Sequence, residues 1–290
     1  MKQTMAREIS YASTAKSRHG RAIIRTVENL TGRIGLLKRA SGIAERPEQG
    51  ADFWRALVDR YGLSLNVMRG SLETIPTHGP LILISNHPYG ILDGLMMGYI
   101  LSALRGDFRI IAHRVFRRAE ALNRVILPID FDETPDALAQ IIQTRAEALR
   151  YLGQGGAIGI FPGGTVSTAA RPFGQPLDPV WRNFTARMIA KSDATVVPVF
   201  FEGHNSRLFQ IASHLNYTLR MALLIKEFRA RIDEPVGIAI GEPIPRAEIE
   251  ARKSDAKALM DFLRKSTYDL SPKPLATHCY GYEFEEKYRA

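Results

Sequence analysis

The side chains best suited to chemistry are concentrated in residues 81–93, LILISNHPYGILD, where His87 and Asp93 are spaced as His-x5-Asp. An imidazole held by a carboxylate is a general base. The carboxylate accepts one ring N–H and fixes the tautomer, which leaves the other nitrogen to take a proton. The chain has no G-x-S-x-G pattern to supply a serine nucleophile elbow, so the base would act on a hydroxyl of the substrate. A solitary His at a strand end usually does no more than satisfy its hydrogen bonds. The Asn86, Pro88, Gly90 and Asp93 grouped around His87 favour a functional role instead.

Such a pair needs two elements to position it. Leu81–Ile84 is a short apolar run closed by Ser85-Asn86-His87, the pattern of a buried strand. Pro88 biases His87 towards extended backbone and can itself open a helix. His87 is therefore expected at the carboxyl end of a strand, with Asp93 returning over it from the first turn of the next helix. In an open α/β sheet, that edge binds ligands.

The chain has 290 residues, enough for one large core, with 45% hydrophobic and 24% charged residues, as in a globular protein. The net charge of +9 (39 basic, 30 acidic) calls for an anionic partner: nucleic acid, anionic lipid or a phosphorylated substrate. No aromatic-interleaved basic stripe supports nucleic acid. Cys279 is the single cysteine, which excludes an internal disulfide and a Cys-based zinc site and fits a reducing compartment. Neither a signal peptide nor a run of about 20 apolar residues is present.

Along the chain, His19–Arg39 carries Ile23, Val27, Leu30, Ile34 and Leu37 at helical spacing with arginines on the other faces, broken near Thr31-Gly32. It reads either as a membrane-interfacial helix or as a docked helix with a solvated basic face. Residues 45–51 read as a loop, 52–61 as a helix, 63–69 as a half-buried strand and 92–104 as a buried helix. Strands follow at 108–112, 125–129, 157–161, 195–201 and 237–240, with helices at 135–152, 180–191, 217–228 and 248–270. Pro198 inside its strand points to an edge or irregular strand. Loops leave these strands at Asp130-Phe131-Asp132, at 162–167, where Gly163-Gly164 lets backbone approach a ligand, and at 202–207, before which 171–179 forms a further loop. His113, Arg114, Arg117, Arg118 and Arg124 form a candidate anion site or a solvated face. The alternation predicts an α/β layered domain with a central, largely parallel (mixed) sheet flanked by helices. Residues 1–62 form an N-terminal helical segment, 63–270 the catalytic domain and 271–290 a tail with no assigned role.

Three strand-exit segments line up as a set: Asn86-His87-Pro88-Tyr89-Gly90-Ile91-Leu92-Asp93, Phe161-Pro162-Gly163-Gly164-Thr165-Val166-Ser167 and Val197-Pro198-Val199-Phe200. Over about residues 65–245 they resemble the glycerolipid and lysophospholipid acyltransferase superfamily, which includes the 1-acylglycerol-3-phosphate acyltransferases. The blocks there read His-x4-Asp, Phe-Pro-Glu-Gly-Thr-Arg-Ser and Val-Pro-Val. The extra residue between His and Asp is shared with the bacterial hemolysin-like branch, a label that says nothing about lysis. The resemblance implies acyl transfer from acyl-CoA or acyl-carrier protein to a lysolipid hydroxyl, with His87 as base and Asp93 as its orienter. Backbone N–H groups would hold the oxyanion, with no metal and no bound cofactor. It also implies a membrane-lipid partner and a peripheral place on the cytoplasmic face of the bacterial inner membrane. Substrate contacts are expected from Asn86, Phe161, Pro162, Gly163, Gly164 and Thr165.

The sequence departs from the family at Gly163, where Glu is usual, and at Val166, where Arg is usual. That Arg helps hold an acceptor's phosphate, and Val cannot replace a bidentate Arg–phosphate pair. Either the arginine cluster 114–124 (Arg114, Arg117, Arg118 and Arg124) or Arg207 supplies the charge, or the acceptor carries a different head group, as in a lyso-aminolipid such as lyso-ornithine lipid. Two other activities stay open: a lipid or thioester hydrolase using His87 and Asp93 on water, and a basic membrane-binding protein without catalysis.

Overall fold

The computed structural model describes residues 10–15, 17–41, 50–113, 120–129 and 135–284. Nine strands are found there: β1 Ser64–Arg69, β2 Leu81–Ser85, β3 Arg109–His113, β4 Ile126–Ile129, β5 Ala157–Ile160, β6 Thr168–Ala169, β7 Pro176–Leu177, β8 Thr195–Phe201 and β9 Pro235–Ile240. Seven of them form one sheet in the order β1-β9-β8-β2-β5-β3-β4. Every pairing in it is parallel except β8 with β9. The principal helices are α1 Arg18–Leu30, α2 Arg33–Ala40, α3 Gly50–Arg60, α4 Ile91–Arg105, α5 Pro135–Gly153, α6 Asn183–Ala190, α7 Arg207–Leu215, α8 Tyr217–Arg229 and α9 Ala256–Tyr268.

Side chains alternate across a strand, and a parallel sheet is covered on both faces, so its strands read as continuous apolar runs. In β2, Leu81 and Leu83 pack in one core with Trp54 of α3, Met96 and Met97 of α4 and Phe228 of α8. Ile82 and Ile84 pack in the other, with Leu152 of α5, Met188 of α6 and Leu263 of α9. The LILI run is thus the middle of a three-layer sandwich, and its carboxyl end opens between the layers.

The structure corrects several expectations. β8 lies inside the sheet although it contains Pro198. The Pro198 carbonyl accepts Gly241 N–H at 2.9 Å. Its nitrogen therefore faces the same side, where pairing with β9 begins only at Val199↔Ile240, so the missing donor interrupts no ladder bond. Arg207, read as the end of a loop, opens the helix Arg207–Leu215, capped by the Ser206 hydroxyl on Phe209 N–H. The helix expected over 248–270 is two pieces, Arg246–Glu250 and α9, because Asp255 caps a new start. β1 is an edge strand whose Val67 faces solvent, so its apolar alternation does not all point inward. The loop 171–179 contains β7, paired with β6. Gly50 already belongs to α3, while residues 42–49 and the strand exit 130–132 lie outside the described residues. The break at Gly32 is present, with a φ of 118°.

Candidate active site

β2 stops at Ser85 because Asn86 turns its amide onto the last residue of β8. Asn86 Nδ2 donates to the Phe201 carbonyl at 2.9 Å, and Asn86 Oδ1 accepts the Phe201 N–H at 2.7 Å. Both ends of the amide are taken up by this clamp. Asn86, expected to touch substrate, instead fixes the turn that carries His87.

After Pro88 the chain turns through Gly90 at a φ of 92°, a conformation that favours glycine. α4 then begins, and Asp93 in its first turn is fully buried. Asp93 Oδ2 accepts the N–H groups of Tyr89 at 2.8 Å and Gly90 at 2.9 Å, which satisfies donors at the helix start. The same oxygen lies 3.0 Å from His87 Nδ1. The separation is that of an ion pair, while the ring N–H falls outside hydrogen-bond alignment and Asp93 Oδ1 has no donor among the described residues. Catalytic contacts are often loose before substrate arrives. Burial pushes the Asp93 carboxyl above its ordinary value. His87 and the Tyr89 and Gly90 N–H groups oppose that shift.

The His87 ring stacks on Phe161, with centroids 4.2 Å apart and planes at 27°. Its main chain is tied down as well: the His87 carbonyl accepts Ser167 N–H at 2.8 Å, and His87 N–H donates to Asp178 Oδ1 at 3.2 Å. Buried Asp178 also accepts Ser167 Oγ–H and, at 2.9 Å, Trp181 Nε1–H. It stands beside Gly163, where an added Cβ would lie 3.3 Å from its carboxylate. The family Glu at that position would require Asp178 to give by a few tenths of an ångström and would set a second carboxylate beside it.

His87 opens onto a cavity of about 350 Å³. Its walls are mainly apolar, with Trp54, Leu57, Leu95, Phe161 and Phe184 among them. Phe161, Pro162, Gly164 and Thr165 line this cavity, whereas Gly163 abuts Asp178. Arg207 is exposed on α7 and donates to the Gly174 carbonyl at 2.8 Å, away from the cavity. Arg124 is exposed; Arg114, Arg117 and Arg118 lie outside the described residues. Two buried arginines line the cavity: Arg182, which is paired with Glu283, and Arg220 of α8, 1% exposed. Burial strips the Arg220 guanidinium of water and pushes its pKa down to about 9, leaving it charged at neutral pH. Tyr11 also lines the cavity; its segment is held by buried Glu28, which accepts Tyr11 N–H at 2.7 Å. None of Asp178, Arg220, Tyr11 and Glu28 stands in a motif, and only burial reveals them.

The tail packs onto the same region. Gly281 N–H bonds the Asp178 carbonyl and Tyr282 N–H the Thr168 carbonyl, while Glu283 pairs with Arg182 through two contacts of 2.9 Å. Among the described residues no group of three or more His, Cys, Asp and Glu side chains could hold a metal ion, and no helix is long and apolar enough to cross a membrane.

A histidine beside a buried carboxylate, at the carboxyl edge of the sheet and facing a mainly apolar cavity, is an arrangement suited to activating a polar group on an apolar ligand. A sequence profile of the acyltransferase family matches residues 43–275, and the chain belongs to that family. Two relatives are lyso-glycine lipid O-acyltransferases. The one from Phocaeicola vulgatus is 25% identical over 229 residues, covering 76% of this chain and 78% of its own. The one from Bacteroides thetaiotaomicron is 23% identical over 220 residues, covering 72% and 76%. Among solved structures, the 1-acyl-sn-glycerophosphate acyltransferase of Thermotoga maritima aligns over 88% of this chain and 97% of its own, at 13% identity and a TM-score of 0.49. The protein is an acyltransferase.

Proposed function

We propose that the protein moves a fatty acyl group from a thioester, acyl-CoA or acyl-carrier protein, to the hydroxyl of a lysolipid. The observation that carries this reading is the His87–Asp93 pair on the wall of a mainly apolar cavity. Asp93 holds the Nδ1 side, so Nε2 takes the hydroxyl proton. The oxygen attacks the thioester carbonyl and forms a tetrahedral oxyanion. Among the described residues the N–H groups of Thr165 and Val166 have no acceptor, and they are the donors proposed for this oxyanion. Collapse expels the thiolate, which recovers the proton from the imidazolium. These steps need neither a metal nor a bound cofactor.

The acceptor is proposed to be a lyso-aminolipid. The two relatives named for a lyso-glycine lipid support this, as does Val166 in place of the family's Arg. A peripheral place on the cytoplasmic face of a membrane follows from such substrates. Exposed Ile23, Leu30 and Ile34, beside exposed Arg18 and Arg21, give α1 and α2 a surface for it. Replacing Leu30 and Ile34 by Glu should weaken pelleting with anionic vesicles; unchanged pelleting would remove this surface from the proposal. The reaction is tested by mass spectrometry of products from a lysolipid and each thioester donor. Diacylated lipid supports transfer, whereas free fatty acid alone indicates hydrolysis by the same pair.

A further inference from the structure

From the surroundings of Arg220 we infer that this arginine, acting through the Thr165 hydroxyl, selects acceptors bearing an anionic head group. The inference rests on the acyl-transfer reading and adds the chemistry of acceptor recognition. Arg220 Nη1 donates to Thr168 Oγ1 at 2.6 Å and Ser213 Oγ at 2.9 Å. Nη2 donates to Thr165 Oγ1 at 3.1 Å and the Val166 carbonyl at 2.7 Å. Phe209 and Phe284 cover the guanidinium faces at 4.8 and 4.2 Å. All four hydrogens on these two nitrogens are directed, so the group is held rigidly.

Every one of these acceptors is neutral, and no carboxylate pairs with Arg220 among the described residues. The other buried arginines differ. Arg182 is paired bidentately with Glu283, and Arg33 lies 3.9 Å from Glu28. Arg264 lacks a carboxylate too, but it holds tail carbonyls and does not line the cavity. A buried charge is costly without a counter-ion, and a strongly perturbed one in a cleft marks a functional site. Arg220 meets both conditions on a wall it shares with His87 and Thr165.

The route to the ligand is Thr165. Its oxygen accepts from Arg220, which leaves its own hydrogen to donate, and no acceptor among the described residues takes it. An anion in the cavity would receive that hydrogen bond, strengthened by the fixed charge behind it. Arg220 therefore does from α8 what Val166 cannot do from the loop: it puts a positive charge at the exit of β5. It is a positioning residue and does not touch the reacting atoms. The recognised group is a carboxylate or a phosphate.

The test uses two matched pairs of acceptors: an N-(β-hydroxyacyl)glycine against its carboxamide, and lysophosphatidic acid against a monoacylglycerol. Arg220→Gln and Thr165→Val should each raise KM for the anionic member by roughly 10–100-fold, the scale of a lost hydrogen bond to a charge, with a smaller change in kcat. The preference for anion over neutral partner should fall by the same factor. Arg220→Lys and Thr165→Ser should restore part of it. The pair that responds identifies the anion. Equal losses on anionic and neutral acceptors would mean that Arg220 only packs the loop, and would overturn the inference. So would an unchanged preference in Thr165→Val, which keeps the side-chain shape if Arg220→Gln fails to fold. Wild-type protein that acylates none of the four would overturn the acyl-transfer reading itself.

Discussion

Replacing Asp93 by Asn isolates the charge behind His87. The N–H groups of Tyr89 and Gly90 both point at Oδ2, so the amide oxygen must take that position to satisfy them. The oxygen then still faces His87 Nδ1 and the tautomer is kept; only the charge is lost. Two unit charges at the 3.0 Å separation attract by about 5.5 kcal/mol at an effective dielectric of ~20, which corresponds to about 10⁴ in rate. That is an upper bound, because the His87 side chain is 18% exposed and water screens the imidazolium. The expected fall in kcat is roughly 10²–10⁴-fold, the range of general-base catalysis. The assay is initial-rate acylation of one lysolipid, with thermal melting alongside to confirm folding. Stability should show a definite sign. The folded pKa of Asp93 is raised above 3.8, so neutral Asp93 favours the fold, and this contribution fades as pH rises through the raised value. Relative to wild type, the Asn variant should gain stability over that rise. A kcat within tenfold of wild type would refute the assignment of Asp93.

The turn and its brace make two further predictions. Gly90→Ala places a Cβ 3.1 Å from Val166 Cγ2 at a φ of 92°; the expected cost is about 1–3 kcal/mol, read by denaturant melts, with kcat falling because Asp93 shifts. A stable, fully active Gly90→Ala would show that the turn tolerates other geometries. Asp178→Ala leaves the Ser167 hydroxyl, Trp181 indole and His87 amide without their acceptor, so melts should register a loss of at least about 1–3 kcal/mol, and kcat should drop; unchanged rates would release His87 from this support.

The sheet and the approach of Asp93 to His87 were legible because each has a one-dimensional signature. Leu81–Ile84 is buried on both faces, and such a strand leaves an unbroken apolar run. The His-Pro-x-Gly-x-x-Asp turn is encoded within a few residues by backbone restrictions. The supporting shell has no such signature. Asp178 sits in a Pro- and Gly-rich loop and Arg220 in YTLRMALLIKEFR, where an arginine reads as a solvated face. Their roles arise from residues far away in the chain, such as Thr165 and Ser167. Asn86 shows the opposite failure. Its place beside His87 suggested a substrate contact, but its partner is Phe201 across the sheet. Pro198 misled for a related reason. A proline excludes a ladder bond only where one would form, and the end of β9 decides that.

The central claim is that His87 takes the proton of the attacking hydroxyl, and His87→Ala tests it most directly. The ring is partly exposed, and its removal leaves the Asn86 clamp intact. With product followed by mass spectrometry at equal folded fractions, the variant should lose roughly 10²–10⁴-fold in kcat while still binding the lysolipid. Acylation within tenfold of wild type would contradict the account.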